Sequence, residues 1–465
     1  MVRFRWAYCQ LDTLSRCLPQ SVFEALNELP ITLDETYERT LQGIAKEKEQ
    51  HAHRLFQCLV AAIRPLRIEE LADILAIAFP PNAEPILVEG WRPASPEEAV
   101  LSMCSTLIAI VEDQGSKTVQ FSHFSVKEFL TSDRLRTSEI GNVRQYHVPL
   151  DTAHATLAQA CFTILLPSEE KKEKRHVKTL PLASYSAKHW VDHAKFENVA
   201  RQLNLKDAME RLFDPRKPHF EAWTLIYNID DGRRPRKATP LYYAALCGFP
   251  ELAKHLIVAH AEDVNAKGGH HGTPLHAASY RGHLDSVRLL LDHGADVNPT
   301  IEGKRTPLSS AYDGCHLEVM RLLLERGADA DMICSLTSSS TRLVHRASLH
   351  GDVEALQLLL RHNADVNARG KANCTPLHCA SLRGHGDAVE LLLDHGAAVD
   401  LQTADLDTPL CLASERGHLP VVQALLRHGA NVHHRNKRNR TPFDNATRKG
   451  HVKVAQLLLE HGTER

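Results

Sequence analysis

Twenty-nine histidines and eleven cysteines give this chain many groups able to ligate a metal or act as base or nucleophile. Spacing decides whether they do. A zinc site needs ligands that converge at characteristic intervals, yet no Cys-x-x-Cys pair occurs, and Cys374 and Cys379 are five apart. Hydrolysis by an activated serine would be signalled by Gly-x-Ser-x-Gly, which is absent. Phosphate chemistry would need Gly-x-x-x-x-Gly-Lys-Ser/Thr, whose backbone amides and lysine cradle the phosphates. The partial match at Gly303-Lys304 is followed by Arg305, where a hydroxyl should hold magnesium. No cofactor, no metal and no enzymatic activity are expected. The sharpest single candidate is His123, in Phe121-Ser-His-Phe-Ser125, and the plain reading is a histidine packed at a strand end.

The residues that remain must be placed by larger elements. A chain of 465 residues exceeds one ordinary core, so two or three domains are expected. With 43% hydrophobic and 24% charged residues the chain reads as globular, and its net charge of −2 gives no overall pull toward nucleic acid or membrane. The cysteines are scattered from Cys9 to Cys411, unlike a disulfide scaffold. Neither a signal peptide nor an apolar run of about 18 residues is found. The expectation is an intracellular, cytoplasmic protein.

Self-similarity is the strongest signal. Thr-Pro-Leu or a variant begins at Thr239, Thr273, Thr306, Thr375, Thr408 and Thr441, with Arg342-Leu-Val-His345 as a degenerate copy. The intervals are 34, 33, 36, 33, 33 and 33 residues. Nine residues after each anchor stands a glycine, except at Cys315. Twenty-one after it stand Gly294, Gly327, Asn363, Gly396, Gly429 and Gly462. Threonine at the anchor can cap a helix, proline fits the first helical position, and glycine permits the left-handed turn that ends one. Asn363 is the next-best residue for that conformation. Between the glycines, Leu284-Asp-Ser-Val-Arg-Leu-Leu-Leu291 has its apolar residues at helical spacing.

This TPLH…GH…LLL…GADVN pattern resembles the ankyrin family over about 237–465. The resemblance implies seven helix–turn–helix units, each followed by a hairpin finger and stacked into a solenoid whose role is to bind another protein. It also implies that the repeat-column histidines, among them His276, His345, His378, His283, His385, His418 and His451, make structural hydrogen bonds. The first repeat lacks a clean glycine in His260-Ala-Glu-Asp263, and Ser335-Leu-Thr-Ser-Ser-Ser-Thr341 extends the array before the fourth. Partners are expected on finger tips and first helices. The column seven after the anchor varies freely, through Leu246, Tyr280, Asp313, Leu349, Leu382, Glu415 and Arg448. Tyr280, Leu349 and Leu382 are apolar where solvent is expected. The last finger, His433-His-Arg-Asn-Lys-Arg-Asn-Arg440, is basic, whereas its predecessor holds Asp400, Asp405 and Asp407. Arg416, Arg435, Lys437, Arg438 and Arg448 are therefore candidates for gripping an acidic partner.

All four tryptophans, Trp6, Trp91, Trp190 and Trp223, precede a polar linker at Asp230-Asp-Gly-Arg-Arg-Pro235. Leu33–Leu41 reads as a helix, and Pro65–Leu75 as an extended piece entering one. Ser95-Pro-Glu-Glu98 reads as a capping box opening a helix to about Leu107. Ile108–Val111 and Thr118–Phe121 read as a hairpin turning at Asp113–Ser116. Helices followed by a hairpin describe a winged helix. RWAYCQLDTL…LPITLDETYERTL…RPLRIEELADILAI…VQFSHFSVKEFL resembles the segment following the NACHT domain in fungal STAND-type signalling ATPases. That segment includes a winged helix of GPI inositol-deacylase type. The later His154-Ala-Thr-Leu157…Tyr185-Ser-Ala-Lys-His-Trp190 resembles the helical region before their sensor repeats. The resemblance implies a nucleotide-sensing position for His123, and the missing phosphate loop implies a partial member without ATP hydrolysis of its own.

The sequence thus predicts a mainly α chain: a helical segment (1–50), a winged helix (51–137), a helical linker domain (138–230) and seven ankyrin repeats (237–465). The leading function is a non-enzymatic sensor or scaffold binding a protein partner. One alternative is a regulatory fragment acting in trans on an ATPase subunit. The other, nucleic-acid binding through the winged helix, is disfavoured because the candidate recognition helix, Pro96–Met103, carries two acids and no base.

Overall fold

The computed structural model describes residues 32–80, 83–113, 115–167, 179–197, 199–227, 229, 238–301, 305–332 and 342–463, which fall into two compact units on either side of 231/232. Expectations for residues 1–31, the linker at 230–235, Lys304 and the serine-rich run lie outside them.

In the first unit, α1 (Leu33–Gln42) opens on Thr32, whose hydroxyl accepts from the Glu35 amide while the Glu35 carboxylate accepts from the Thr32 amide. Its inward face buries Tyr37 and Leu41. Next come α2 (Glu49–Ala61), β1 (Leu66–Arg67), α3 (Ile68–Leu75), the short pair β2 (Ile77–Ala78) and β3 (Ile86–Leu87), then α4 (Pro96–Cys104). β4 (Ile108–Asp113) and β5 (Ser116–Phe121) form the hairpin, and the sheet runs β1-β5-β4 with Val119 between Leu66 and Ile110. Helix, strand, two helices and a hairpin make the winged helix. One expectation fails here. Ser95 sits at the N-cap of α4, but its side chain makes no capping hydrogen bond. The first-turn acid Glu97 pairs with Lys117 of β5, 2.6 Å away.

After α5 (Phe124–Leu130), α6 (Asp133–Arg136) and α7 (Gly141–Arg144), the helices α8 (Leu150–Leu165), α9 (Ala183–Lys195), α10 (Leu203–Phe213) and α11 (His219–Ile226) close the unit. α8 packs on α2 and α9. Trp190 and Trp223, 5.5 Å apart, centre an aromatic cluster with Phe213 and Phe220, and the Trp223 indole donates to the Ala187 carbonyl at 2.9 Å. Buried Glu70 accepts from both Arg64 and Arg67. Burial opposes its charge, but these hydrogen bonds and cations hold the carboxyl below its ordinary range.

The second unit is a row of seven helix pairs among the described residues. The inner helices are α12 (Pro240–Cys247), α14 (Pro274–Arg281), α16 (Pro307–Asp313), α18 (Leu343–His350), α20 (Pro376–Arg383), α22 (Pro409–Arg416) and α24 (Pro442–Arg448). Their outer partners are α13 (Pro250–His260), α15 (Leu284–Asp292), α17 (Leu317–Glu325), α19 (Val353–Arg361), α21 (Gly386–Asp394), α23 (Leu419–Arg427) and α25 (Val452–Thr463). Every anchor threonine caps its helix by accepting from the amide three residues on. Arg342, in the degenerate anchor, provides no cap and instead donates from Nε to the Asp331 carbonyl at 3.0 Å. Asn363 adopts φ +64°, as expected of the residue standing in for glycine. In the first repeat α13 continues to His260, and Ala261 takes the left-handed turn at φ +51°. Gly462 does not act as a left-handed cap, because α25 runs through it to Thr463 and glycine adopts helical angles as readily as left-handed ones.

Candidate protein-interaction surface

Two variable positions, seven and eight after the anchor, lie at the end of each inner helix, the eighth serving as C-cap in α16 and α24. Their side chains vary, but in four repeats the carbonyl of the seventh is held. The carbonyls of Leu246, Leu349, Leu382 and Glu415 accept from Nε2 of His283, His385, His418 and His451 in the next repeat, at 3.1, 3.1, 3.3 and 3.1 Å. Each of these rings lies against the glycine two residues past that carbonyl. A Cβ on Gly384 would stand 2.6 Å from the His418 ring. Glycine is needed there for space as well as for φ.

At the junction of the second and third repeats the His316 ring lies against Gly282 but makes no hydrogen bond to the Tyr280 carbonyl among the described residues. A second junction departs further. Cys315 replaces the glycine at φ +60°, and the residue that would pack on it is Asp352 rather than histidine. The side chain at position 315 leaves no room for a ring. Another network takes its place: the Tyr312 hydroxyl donates to the Asp352 carboxylate and lies 3.2 Å from His350 Nδ1. Arg346 pairs with Asp313 and sits over the Tyr312 ring at 4.9 Å.

The expectation that the seventh column faces solvent holds only in part. Leu246 is 3% exposed, because α12 is buried along its whole length. Tyr280, Leu349 and Leu382 are half-buried, and the Tyr280 ring stacks on His271 at 4.4 Å. Arg416, Arg435, Lys437, Arg438 and Arg448 are exposed. Arg448 pairs with Glu415 at 2.6 Å. In the last finger Arg435 donates to the Asn439 carbonyl, and the amides of Lys437 and Arg438 bond to the Asp405 carbonyl and the Asn436 side chain. That finger is thus pinned to the acidic one before it with its basic heads outward.

The repeat histidines are structural. His276 Nε2 donates to the Arg305 carbonyl at 3.1 Å, which leaves Nδ1 to accept from the Thr273 hydroxyl at 2.8 Å. His378 repeats this with Asp407 and Thr375. Burial pushes both down to about 4. His123 is a helix cap rather than a strand-end residue. Its Nδ1 accepts from the Ser125 amide at 3.3 Å, and the Ser125 hydroxyl lies 2.8 Å from that of Tyr37.

Sequence reading missed a ladder along the fingers. Asn265, Asn298, Asp331, Asn367 and Asp400 each accept from the backbone amide of Asp296, Asp329, Asp365, Ala398 and Asn431 respectively, at 2.8 to 3.2 Å. The signal was a column of Asn or Asp 25 residues after most anchors.

Family models describe the same parts. Two ankyrin-repeat models match 241–334 with 399–464, and 310–360 with 344–393. The winged helix domain of GPI inositol-deacylase matches 37–141. This chain is an ankyrin-repeat protein. Its repeats indicate a role in protein interaction. Ankyrin architecture is typically non-enzymatic. Azaphilone pigments biosynthesis cluster protein L of Monascus ruber is 32% identical over 57% of the ankyrin-repeat chain, and alpha-latrocrustotoxin-Lt1a of Latrodectus tredecimguttatus 38% identical over 14% of it. The ankyrin-repeat chain spans 60% of the first relative's length and 5% of the second's. Among solved structures, the human ASB11 ankyrin repeat domain is 32% identical, covering 48% of this chain and 98% of that one, with a TM-score of 0.41. An ankyrin repeat domain from Acinetobacter baumannii AYE is 26% identical, covering 41% and 97%, with a TM-score of 0.39. Among the described residues no helix is long and apolar enough to cross a membrane.

Proposed function

We propose that this chain is a cytoplasmic, non-enzymatic sensor or scaffold that holds a protein partner against the inner helices of its ankyrin array. The observation that carries the reading is the seventh column: the carbonyls of Leu349 and Leu382 are held by the next repeat, and with Tyr280 these residues offer half-buried apolar surface. Arg416, Arg448 and the basic finger residues Arg435, Lys437 and Arg438 extend that surface. The working subdivision is a helical segment (1–50), a winged helix (51–137), a helical linker (138–230) and the repeats (237–465).

A second reading, regulation in trans of a NACHT-type ATPase subunit, is favoured by the winged-helix match and by large apolar side chains left exposed there, Trp91 at 58% and Phe124 at 57%. Nucleic acid is a poor ligand for the winged helix, since Glu97 and Glu98 occupy the first turn of α4.

Affinity capture with the full chain tests the primary reading. Proteins retained by the wild type and lost with Leu349→Ala/Leu382→Ala, at unchanged circular dichroism, support it. Retention unaffected by those changes moves the binding face elsewhere.

A further inference from the structure

The position eight after the anchor has its own order, and its role in recognition rests on the inner-helix face being the binding face. In the last four repeats it holds His350, Arg383, Arg416 and Lys449, all exposed. Arg383 and Arg416 make no hydrogen bond or ion pair among the described residues. Lys449 shares Glu415 with Arg448, at 4.0 and 2.6 Å. The ladder therefore carries unneutralised positive charge, and at its fourth- and fifth-repeat end it runs beside Leu349 and Leu382.

Its period names the ligand's conformation. The inner helices of successive repeats pack side by side, so equivalent side chains recur about every 8–10 Å. A polyproline II chain has three residues per turn and rises 3.1 Å per residue, so every third side chain returns to one face after about 9 Å. An α-helix returns after about 5.4 Å and a strand after about 6.6 Å, and neither keeps step over three repeats. A nucleic-acid strand brings a charge about every 3.4 Å, which would set phosphates against Asp352 and Glu415 as well as against the cations.

We propose that the face of repeats four to seven recognises an extended, polyproline II-like acidic segment of another protein. Its carboxylates recur at every third residue opposite Arg383, Arg416 and Lys449, and an apolar residue one step earlier in the same register lies over Leu349, with Leu382 flanking the first carboxylate.

The test uses the full chain and two fluorescein-labelled peptides followed by anisotropy. One is Leu-Pro-Pro-Glu-Pro-Pro-Glu-Pro-Pro-Glu, one register residue for each of repeats four to seven, and the other has the same composition with its glutamates adjacent. The spaced peptide is expected to bind at least about tenfold tighter, since each charge-assisted contact kept in register adds to the last. Arg383→Gln/Arg416→Gln is expected to weaken it by at least about tenfold, while Arg361→Gln, on the exposed end of α19, leaves it unchanged. Equal binding of both peptides, no binding of either, or displacement of both alike by poly(U) would overturn the register and, in the last case, point to a general polyanion surface. Affinity capture with Arg383→Gln/Arg416→Gln separates the two levels. Capture that survives this change but not Leu349→Ala/Leu382→Ala defeats the acidic segment and leaves the binding face standing. Capture indifferent to both pairs defeats both.

Discussion

Gly384 and Gly396 form an internal control for how the ankyrin repeats lock together. Their backbones are alike, at φ +81° and +83°. A Cβ on Gly396 would meet nothing within 4 Å, whereas one on Gly384 would stand 2.6 Å from the His418 ring, whose Nε2 donates to the Leu382 carbonyl at 3.3 Å. Alanine at either site incurs the left-handed penalty of about 1–2 kcal/mol. At Gly384 the ring must also move, which removes a hydrogen bond worth about 0.5–1.5 kcal/mol and some inter-repeat packing. Gly396→Ala should therefore destabilise the array by about 1–2 kcal/mol, and Gly384→Ala by about 2–4 kcal/mol. Urea unfolding followed by far-ultraviolet circular dichroism reads this directly. All four tryptophans lie before residue 224, so tryptophan fluorescence reports the first unit and follows its transition separately. In a His418→Ala background the excess cost of Gly384→Ala should vanish. Equal costs for the two glycines in the wild type, or an excess that persists without the ring, would refute the interlock.

Three further outcomes follow from the same geometry. His276 and His378 titrate near 4 in the fold against an ordinary 6.5, so the unfolded chain binds more protons between those values. Their stabilisation is complete above pH 6.5 and is lost as pH falls toward 4. From pH 7 to pH 5 each should cost about 2 kcal/mol, and urea midpoints for His276→Gln/His378→Gln should lose most of that slope. Cys315→Gly should stabilise by about 1 kcal/mol, and Asp352→His should be better tolerated in that background than alone, as thermal melts of the four proteins would show. Asn298→Ala removes the bonds from the Asp329 amide and to the Gly327 carbonyl, at 2.9 and 3.2 Å; a loss of about 1–2 kcal/mol is expected, measured by urea unfolding.

The ankyrin half was legible because each repeat writes the same local physics in the same register. Thr-Pro starts a helix whatever surrounds it, so the six threonine caps could be read from residue types alone. Interlocks between repeats were harder, since they join residues 29 to 37 apart through a carbonyl or a bare Cα that has no letter of its own. Hence the histidine–glycine contact and the Asn/Asp ladder came only with the fold. Leu246 was misjudged because burial belongs to the whole of α12, not to a column. In the first unit the hairpin and α1 were plain from β-branched alternation and helical spacing. Ser95 does stand at the N-cap of α4 with proline at the first helical position, yet its side chain makes no cap, a detail of geometry that residue types do not carry. The candidate surface was legible as variability at one column and as basic residues that include Arg416 and the last finger. The half-burial of Leu349 and Leu382, and the alignment of Arg383 with Arg416, required the stacked helices.

Site-specific photocrosslinking in cells tests the central claim most directly. Benzoylphenylalanine replaces Leu382 on the inner face or Gln423, exposed on outer helix α23. A discrete protein adduct from position 382 and none from position 423 is the predicted result. Adducts that form equally at both positions, or only at 423, would contradict a partner seated on the inner helices.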